Sequence, residues 1–191
     1  MHKDYLIKST TQYIFFFFLG AFLGYLWEVL LFYVQDGTFC NRGFLYGPWL
    51  PVYGVGAVLM LFMLRRFQKH PVKVFFLAAL LGSFVELFIG WFLAHVFHLR
   101  YWDYHGYPLQ LGGYICLYSA LGFGIAGVLW VCVFARIASH VWRKMPVPLQ
   151  RIFLTLLILA FLFDCAAALI FPNAGNNITF SLFQTYQPVT C

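Results

Sequence analysis

Five apolar runs constrain the fold of this 191-residue chain more than any other feature. They cover about residues 13–34, 49–64, 74–97, 113–135 and 152–171. A helix of about 20 apolar residues crosses the hydrocarbon core of a bilayer, and within lipid a helix satisfies all of its own backbone hydrogen bonds. The sequence therefore predicts an all-α fold: a polytopic transmembrane helix bundle of about five spans, forming a single integral membrane domain over residues 1–191.

Composition and charge agree with a membrane location. The chain is 63% hydrophobic and 9% charged, whereas soluble domains carry about 25% charged residues. The net charge is +6, from 12 Lys and Arg against 6 Asp and Glu, and all the basic residues except Arg42 and Arg100 lie in alternate connections: Lys3, Lys8, Arg65, Arg66, Lys69, Lys73, Arg136, Arg143, Lys144 and Arg151. The positive-inside rule therefore predicts a plasma-membrane protein with a cytoplasmic N-terminus and an extracytoplasmic C-terminus. Membrane lipids are expected partners, and nucleic acid is not.

Two glutamates interrupt the apolar runs at matching places. Glu28 follows Leu23-Gly24-Tyr25-Leu26-Trp27, and Glu86 follows Leu81-Gly82-Ser83-Phe84-Val85, 58 residues later. A carboxylate in hydrocarbon costs at least about 2–3 kcal/mol, so it is usually paired, protonated or functional. Both glutamates are therefore candidate site residues.

The matching glutamates belong to a longer internal similarity. Gly43 and Tyr53 recur 70 residues later as Gly113 and Phe123. We therefore predict a parallel internal repeat of two spans each, with a longer outer connection in the second copy. The predicted parts are repeat 1 at about 13–66, repeat 2 at about 74–135, an extra span at about 150–171 and an extracytoplasmic tail at 172–191. A pseudo-two-fold axis would make the two glutamates face each other.

The two outward connections supply the remaining candidate site residues. Residues 35–50 are rich in Gly and Pro yet too apolar for a solvated loop, which predicts a partly re-entrant segment lining a cavity. Arg42 in this segment could pair with Glu28 or Glu86, and Asp103 could cap a turn or pair with Arg100 or Arg42. The predicted substrate-binding residues are Glu28, Asn41, Arg42, Tyr46, Glu86, Trp102, Asp103 and Tyr104.

No metal or cofactor is predicted. His95 and His98 lie three residues apart on one helical face but lack a third fixed ligand of the kind that zinc requires. The sequence contains no G-x-x-x-x-G-K-[ST] loop for binding ATP phosphates. Whether Cys40 and Cys116 form a disulfide is left open.

Several ordered motifs carry a family resemblance. They are Trp27-Glu28, Asn41-Arg42-Gly43-Phe44-Leu45-Tyr46-Gly47-Pro48, Tyr53-Gly54, Glu86, Trp102-Asp103-Tyr104 and Ile115-Cys116-Leu117. Over residues 13–135, with the last span and tail outside the pattern, the chain resembles the bacterial CmpB-type "putative ABC-transporter type IV" membrane proteins. The resemblance implies a transport permease that works with an ATPase subunit or as a homo-oligomer. The family usually has Arg where this chain has Tyr114.

These observations favour a transport component with an outward-facing polar site lined by intramembrane carboxylates. One alternative is an intramembrane enzyme acting on a lipid or lipid-linked substrate, with Glu28 or Glu86 as general acid or base. The other is a non-catalytic membrane sensor or assembly factor, in which buried Glu–Arg pairs only fix the helix register.

Overall fold

The computed structural model describes residues 10–37, 43–98, 100 and 102–171. Its helices are α1 (Thr10–Asp36), α2 (Pro51–Leu64), α3 (Pro71–Val96), α4 (Leu117–Val128), α5 (Ala135–Lys144) and α6 (Val147–Ile170). A 3₁₀ turn follows α2 at Arg65–Phe67, and a π-helical segment at Leu129–Phe134 joins α4 to α5. The described residues include no strand, so the predicted all-α class is confirmed.

Four helical stretches are long and apolar enough to cross a membrane. They are Thr10–Leu31, Pro71–Val96, Leu117–Lys144 and Val147–Ile170. The predicted second span, 49–64, instead contains the 14-residue α2. At 1.5 Å per residue α2 rises about 21 Å, less than the roughly 30 Å of a bilayer core. The protein is thus an integral membrane protein with four helices of spanning length in its described part.

Local sequence explains where these helices begin. Pro51 and Pro71 open α2 and α3, where a missing N–H costs nothing because the first helical N–H groups have no partner within the helix. Cys116 caps α4: the Ser119 N–H donates to Cys116 Sγ at 3.4 Å, and the Cys116 N–H donates to the Ser119 hydroxyl at 3.2 Å. Cys40 lies outside the described residues, so whether it forms a disulfide with Cys116 stays open.

The described chain forms two compact units. The first runs up to Leu59 and resumes at Ile137, and the second is Met60–Arg136. In the first unit, α1 packs against α2 through contacts in which a glycine leaves no room for a Cβ. These contacts are Gly24 with the Tyr53 ring, Gly54 with the Phe17 ring, and Gly20 with Ala57.

The second unit is built on the packing of α3 along α4. Here too small residues let the helices approach closely, as is usual where membrane helices associate without a hydrophobic driving force. The contacts are Gly82 with the Phe123 ring, Gly124 with the Phe75 ring, and Gly127 with Ala78.

Gly124 and Gly122 form a matched pair for testing this packing. A Cβ at Gly124 would overlap the Phe75 ring, whereas Gly122, in the same helix, faces open space. We expect Gly124→Leu to destabilise the protein by about 1–3 kcal/mol, the usual cost of overpacking. Gly122→Leu should leave stability unchanged. Melting in detergent, followed by size-exclusion chromatography, measures both, and equal losses would contradict the α3–α4 packing.

Candidate functional site

Three carboxylates lie within the helices of spanning length: Glu28 in α1, Glu86 in α3 and Asp164 in α6. Each must be stabilised by hydrogen-bond donors, a counter-charge or a proton, because water is absent from the bilayer core. How many donors each one receives from the protein therefore distinguishes a structural carboxylate from one available to a ligand.

Asp164 accepts three hydrogen bonds from one short loop. Its Oδ1 accepts the Tyr46 N–H at 3.0 Å, and its Oδ2 accepts the Gly47 N–H at 2.9 Å and the Trp49 Nε1–H at 2.6 Å. Only 7% of Asp164 is exposed. A Cβ at Gly47 would overlap the Trp49 ring, so only glycine fits beside that indole. Asp164 therefore fixes the described end of the α1–α2 loop, residues 43–50, to α6.

Tyr46, a predicted substrate contact, takes part in this attachment. Its backbone bonds Asp164, and its hydroxyl donates to the Phe171 carbonyl oxygen at 2.7 Å. Both bonds join the loop to α6 or to the residue that follows α6. Its neighbours in the predicted site, Asn41 and Arg42, lie outside the described residues, so the predicted pairing of Arg42 with a glutamate stays a prediction.

Glu28 is bonded from the neighbouring helix. The Tyr53 hydroxyl of α2 donates to Glu28 Oε1 at 2.5 Å. The ring of Tyr53 reaches this position because it lies against Gly24, one turn before Glu28 on α1. The first-unit glutamate is thus held by a tyrosine that the helix packing itself puts in place.

Glu86 is bonded on one side only within the described part of the chain. Its Oε1 accepts the Tyr104 hydroxyl at 3.1 Å. The Ser119 side chain of α4 is a second hydrogen-bonding neighbour of the carboxyl group, but its hydroxyl donates to the Cys116 carbonyl oxygen at 3.0 Å. Glu86 Oε2 is buried and has no hydrogen-bond partner among the described residues, and the same is true of the Ser83 hydroxyl. Buried polar atoms without partners are uncommon, and each one calls for an explanation.

The α3–α4 loop, residues 97–116, is braced by Arg100. The guanidinium pairs with Asp103 at 3.2 Å, donates to the Gly112 carbonyl oxygen at 2.7 Å and lies 5.0 Å from the centre of the Tyr114 ring. Gly113 has φ +70°, and a Cβ there would overlap the guanidinium. The predicted Arg100–Asp103 pair is therefore present, and a guanidinium lies over Tyr114, the position at which the family usually has Arg.

Asp103 also closes a turn. Its Oδ1 accepts the His105 N–H at 3.1 Å and contacts the His105 imidazole. Of the predicted site residues, Asp103 is therefore directed into its own loop, whereas Tyr104 reaches Glu86.

Two aromatic rings anchor this loop on the face of α3 that carries Glu86. Trp102 donates its indole N–H to the Tyr114 carbonyl oxygen at 2.8 Å. The Trp102 and Tyr114 rings both lie against Gly90, four residues after Glu86 and so on the same side of α3. Glu86, Trp102 and Tyr104 are thus brought together.

His95, the one histidine of α3, makes local contacts, and His98 lies beyond the end of this helix. His95 Nδ1 is hydrogen-bonded to the Trp91 carbonyl oxygen at 2.9 Å, and its ring stacks on the Trp91 ring. Within the described ranges, no group of three or more His, Cys, Asp or Glu side chains is arranged to hold a metal ion.

Sequence reasoning did not include Asp164, Tyr53 or Ser83 among the site residues. An aspartate in an apolar span was a visible signal for Asp164. The partners of Asp164 lie more than 100 residues away along the chain, however, and no spacing pattern connects them.

Comparison with known families agrees with a transport-type membrane protein. The model of the family described as "Putative ABC-transporter type IV" matches residues 15–169, and the chain belongs to this family. The match extends through α6, so the expectation that the last span lies outside the family pattern was wrong. No curated protein and no solved structure matches the chain.

Replacing Asp164 tests whether it holds the loop. Asp164→Asn keeps the volume but turns an NH₂ group toward N–H donors, so at least one bond to a charged acceptor is lost. We expect a destabilisation of about 1.5–3 kcal/mol. Trp49→Phe, which removes a single donor, should cost less. Thermal melting of the purified protein measures both, and an Asp164→Asn protein as stable as the parent would contradict the assignment.

Proposed function

We propose that this chain is the membrane-spanning component of an ABC-type transport system, with an outward-facing polar site at Glu86. The observation that carries the proposal is the buried Glu86 Oε2, which accepts no hydrogen bond from the described residues. Intramembrane ionisable residues of this kind mark substrate or ion pathways. Membership of the transporter family supports the same conclusion.

The direction of the site follows from the charges at the other end of α3. Arg65, Arg66, Lys69 and Lys73 precede or open this helix, and basic residues of this sort favour the cytoplasmic side. Glu86 lies 15 residues after Pro71, a rise of about 23 Å. Glu86 and the α3–α4 loop then belong to the outer half of the membrane.

We also propose that the predicted internal repeat is real. Three close contacts of the first unit recur at equivalent positions in the second, with the first helix offset by 58 residues and the second helix by 70. The equivalent pairs are Gly24–Tyr53 with Gly82–Phe123, Phe17–Gly54 with Phe75–Gly124, and Gly20–Ala57 with Ala78–Gly127. Chance similarity between aromatic-rich sequences does not explain equivalent contacts. The predicted facing of Glu28 and Glu86 stays a prediction.

The energy source in this proposal is a separate subunit. The chain has no phosphate-binding loop of its own, so an ATPase would dock on the basic cytoplasmic ends of the helices. A homo-oligomer would also help to enclose a pathway, because four helices of spanning length are few to surround a pathway on all sides. The lipid-enzyme and sensor alternatives stay untested predictions.

Co-purification tests the transport proposal. The tagged full-length chain would be released from its native membrane in mild detergent and analysed by native mass spectrometry. We expect a bound ATPase subunit, since hydrolysis must be coupled to this chain. A chain that is recovered only alone or as a homo-oligomer would overturn the ABC-type assignment.

Substitution of the two glutamates tests the site. We expect Glu86→Gln to fail to complement a deletion strain while its membrane level stays unchanged, since the variant keeps the shape and loses only the charge. Glu28→Gln is the matched control. It weakens the bond from Tyr53, so it should lower the melting temperature. Full complementation by Glu86→Gln would contradict the proposed site.

A further inference from the structure

Equivalent glutamates of the two proposed repeats have unequal surroundings, and the difference indicates which one binds a ligand. This inference rests on the proposed repeat and transport site. Tyr53 in α2 and Phe123 in α4 occupy equivalent positions, and each ring lies against the glycine one turn before its glutamate. The two rings differ by a single hydroxyl group.

That hydroxyl is one difference between the surroundings of the two carboxylates. In the first unit it donates to Glu28 Oε1. In the second unit Phe123 has no donor to offer, and Glu86 Oε2 is buried without a partner in the described part of the chain. The Tyr104 hydroxyl comes from the loop and bonds the other oxygen, Oε1. Phe123 therefore adds no donor to Glu86, and Oε2 is the oxygen available to a ligand.

A second available oxygen lies on the same helical face. The Ser83 hydroxyl is buried and, like Glu86 Oε2, has no hydrogen-bond partner among the described residues. The two residues are three apart, so their Cβ atoms are about 5–6 Å from each other. The two oxygens are not hydrogen-bonded to each other. A single small group that contacts both would therefore provide each of them with a partner.

The chemistry around these atoms selects a cation. The neighbouring side chains, Ser119 and Tyr104, supply further oxygens. Among the described residues, no basic side chain forms an ion pair with Glu86. Hard cations prefer oxygen ligands, and protein sites for Ca²⁺ usually supply several carboxylates. One carboxylate with neutral hydroxyls matches a single positive charge.

We infer that Glu86 and Ser83 bind a small monovalent cation, either an alkali ion or an ammonium group, and that Phe123 keeps this site open. Glu28 is then the structural counterpart, since Tyr53 donates a hydrogen bond to it from the facing helix. The residue that determines which glutamate binds is the aromatic residue on the facing helix.

The test compares salts at fixed pH and ionic strength. Full-length protein in nanodiscs of neutral lipid would be melted in NaCl, KCl, NH₄Cl or N-methylglucamine chloride. We expect one small cation to raise the melting temperature by several degrees over the bulky cation, because a ligand that binds only the folded state stabilises it. A response to NH₄Cl alone identifies an ammonium group, and a response to NaCl or KCl identifies an alkali ion.

Single-atom variants assign the site. Phe123→Tyr should abolish the cation response and keep or raise the melting temperature in N-methylglucamine chloride. Ser83→Ala and Glu86→Gln should also abolish the response. Tyr53→Phe, the reciprocal control, should melt at a lower temperature and keep the response. If Phe123→Tyr fails to fold, Ser83→Ala and Glu86→Gln still decide the outcome.

Three results would overturn the inference: equal melting in all salts, an unchanged cation response in Glu86→Gln, or an infrared carboxylic-acid band from Glu86 that persists at neutral pH in every salt. The last result would mean that a proton, rather than a cation, neutralises Glu86. A cation response without a co-purifying ATPase would overturn the transport proposal alone. An ATPase without a cation response would overturn the cation site alone.

Discussion

The need to stabilise carboxylates inside membrane-spanning helices organises this structure. Asp164 meets that need with three N–H groups, all of them neutral, which converge from one short loop. Convergent N–H donors stabilise the ionised form without a counter-charge. These bonds also constrain the loop, because the backbone of residues 46–49 must stay beside α6 to keep them. An irregular segment rich in Gly and Pro thereby acquires a defined conformation at a membrane-spanning helix, where irregular backbone persists only when it is covered by protein or lines a cavity.

The α3–α4 loop is stabilised differently, through its own charges and rings. Arg100 and Asp103 pair with each other, and Trp102 bonds the Tyr114 carbonyl oxygen. None of these contacts involves Glu86, which receives a single bond from the loop through Tyr104. The loop is therefore held in position independently of the charge on Glu86. That independence is what a binding carboxylate requires, since its occupancy can change while its surroundings stay in place.

The sequence predicted the parts of this arrangement that depend on spacing and composition. Apolar runs identified the spanning helices, and the 58-residue spacing singled out Glu28 and Glu86. The pairing of Arg100 with Asp103 was one of the alternatives that the sequence left open for Asp103. Only its length distinguishes α2 from the helices of spanning length. The apolar run at 49–64 does not itself show that the helix begins at Pro51 and has only 14 residues. The partners of Asp164 were not predicted, because they depend on how α6 packs against a loop more than 100 residues earlier.

The repeat that we propose would therefore identify equivalent positions without identifying equivalent roles. Glu28 and Glu86 each follow, by one helical turn, a glycine that lies against an aromatic ring on the next helix. The ring of Tyr53 carries a donor, whereas the ring of Phe123 does not, and tyrosine and phenylalanine are equally acceptable to the helix packing because both fit against glycine. Packing alone thus places no restriction on which of the two residues stands there. In the arrangement that we propose, the hydrogen bond from Tyr53 gives Glu28 a structural role, and the buried Oε2 of Glu86, which has no partner among the described residues, is available to a ligand.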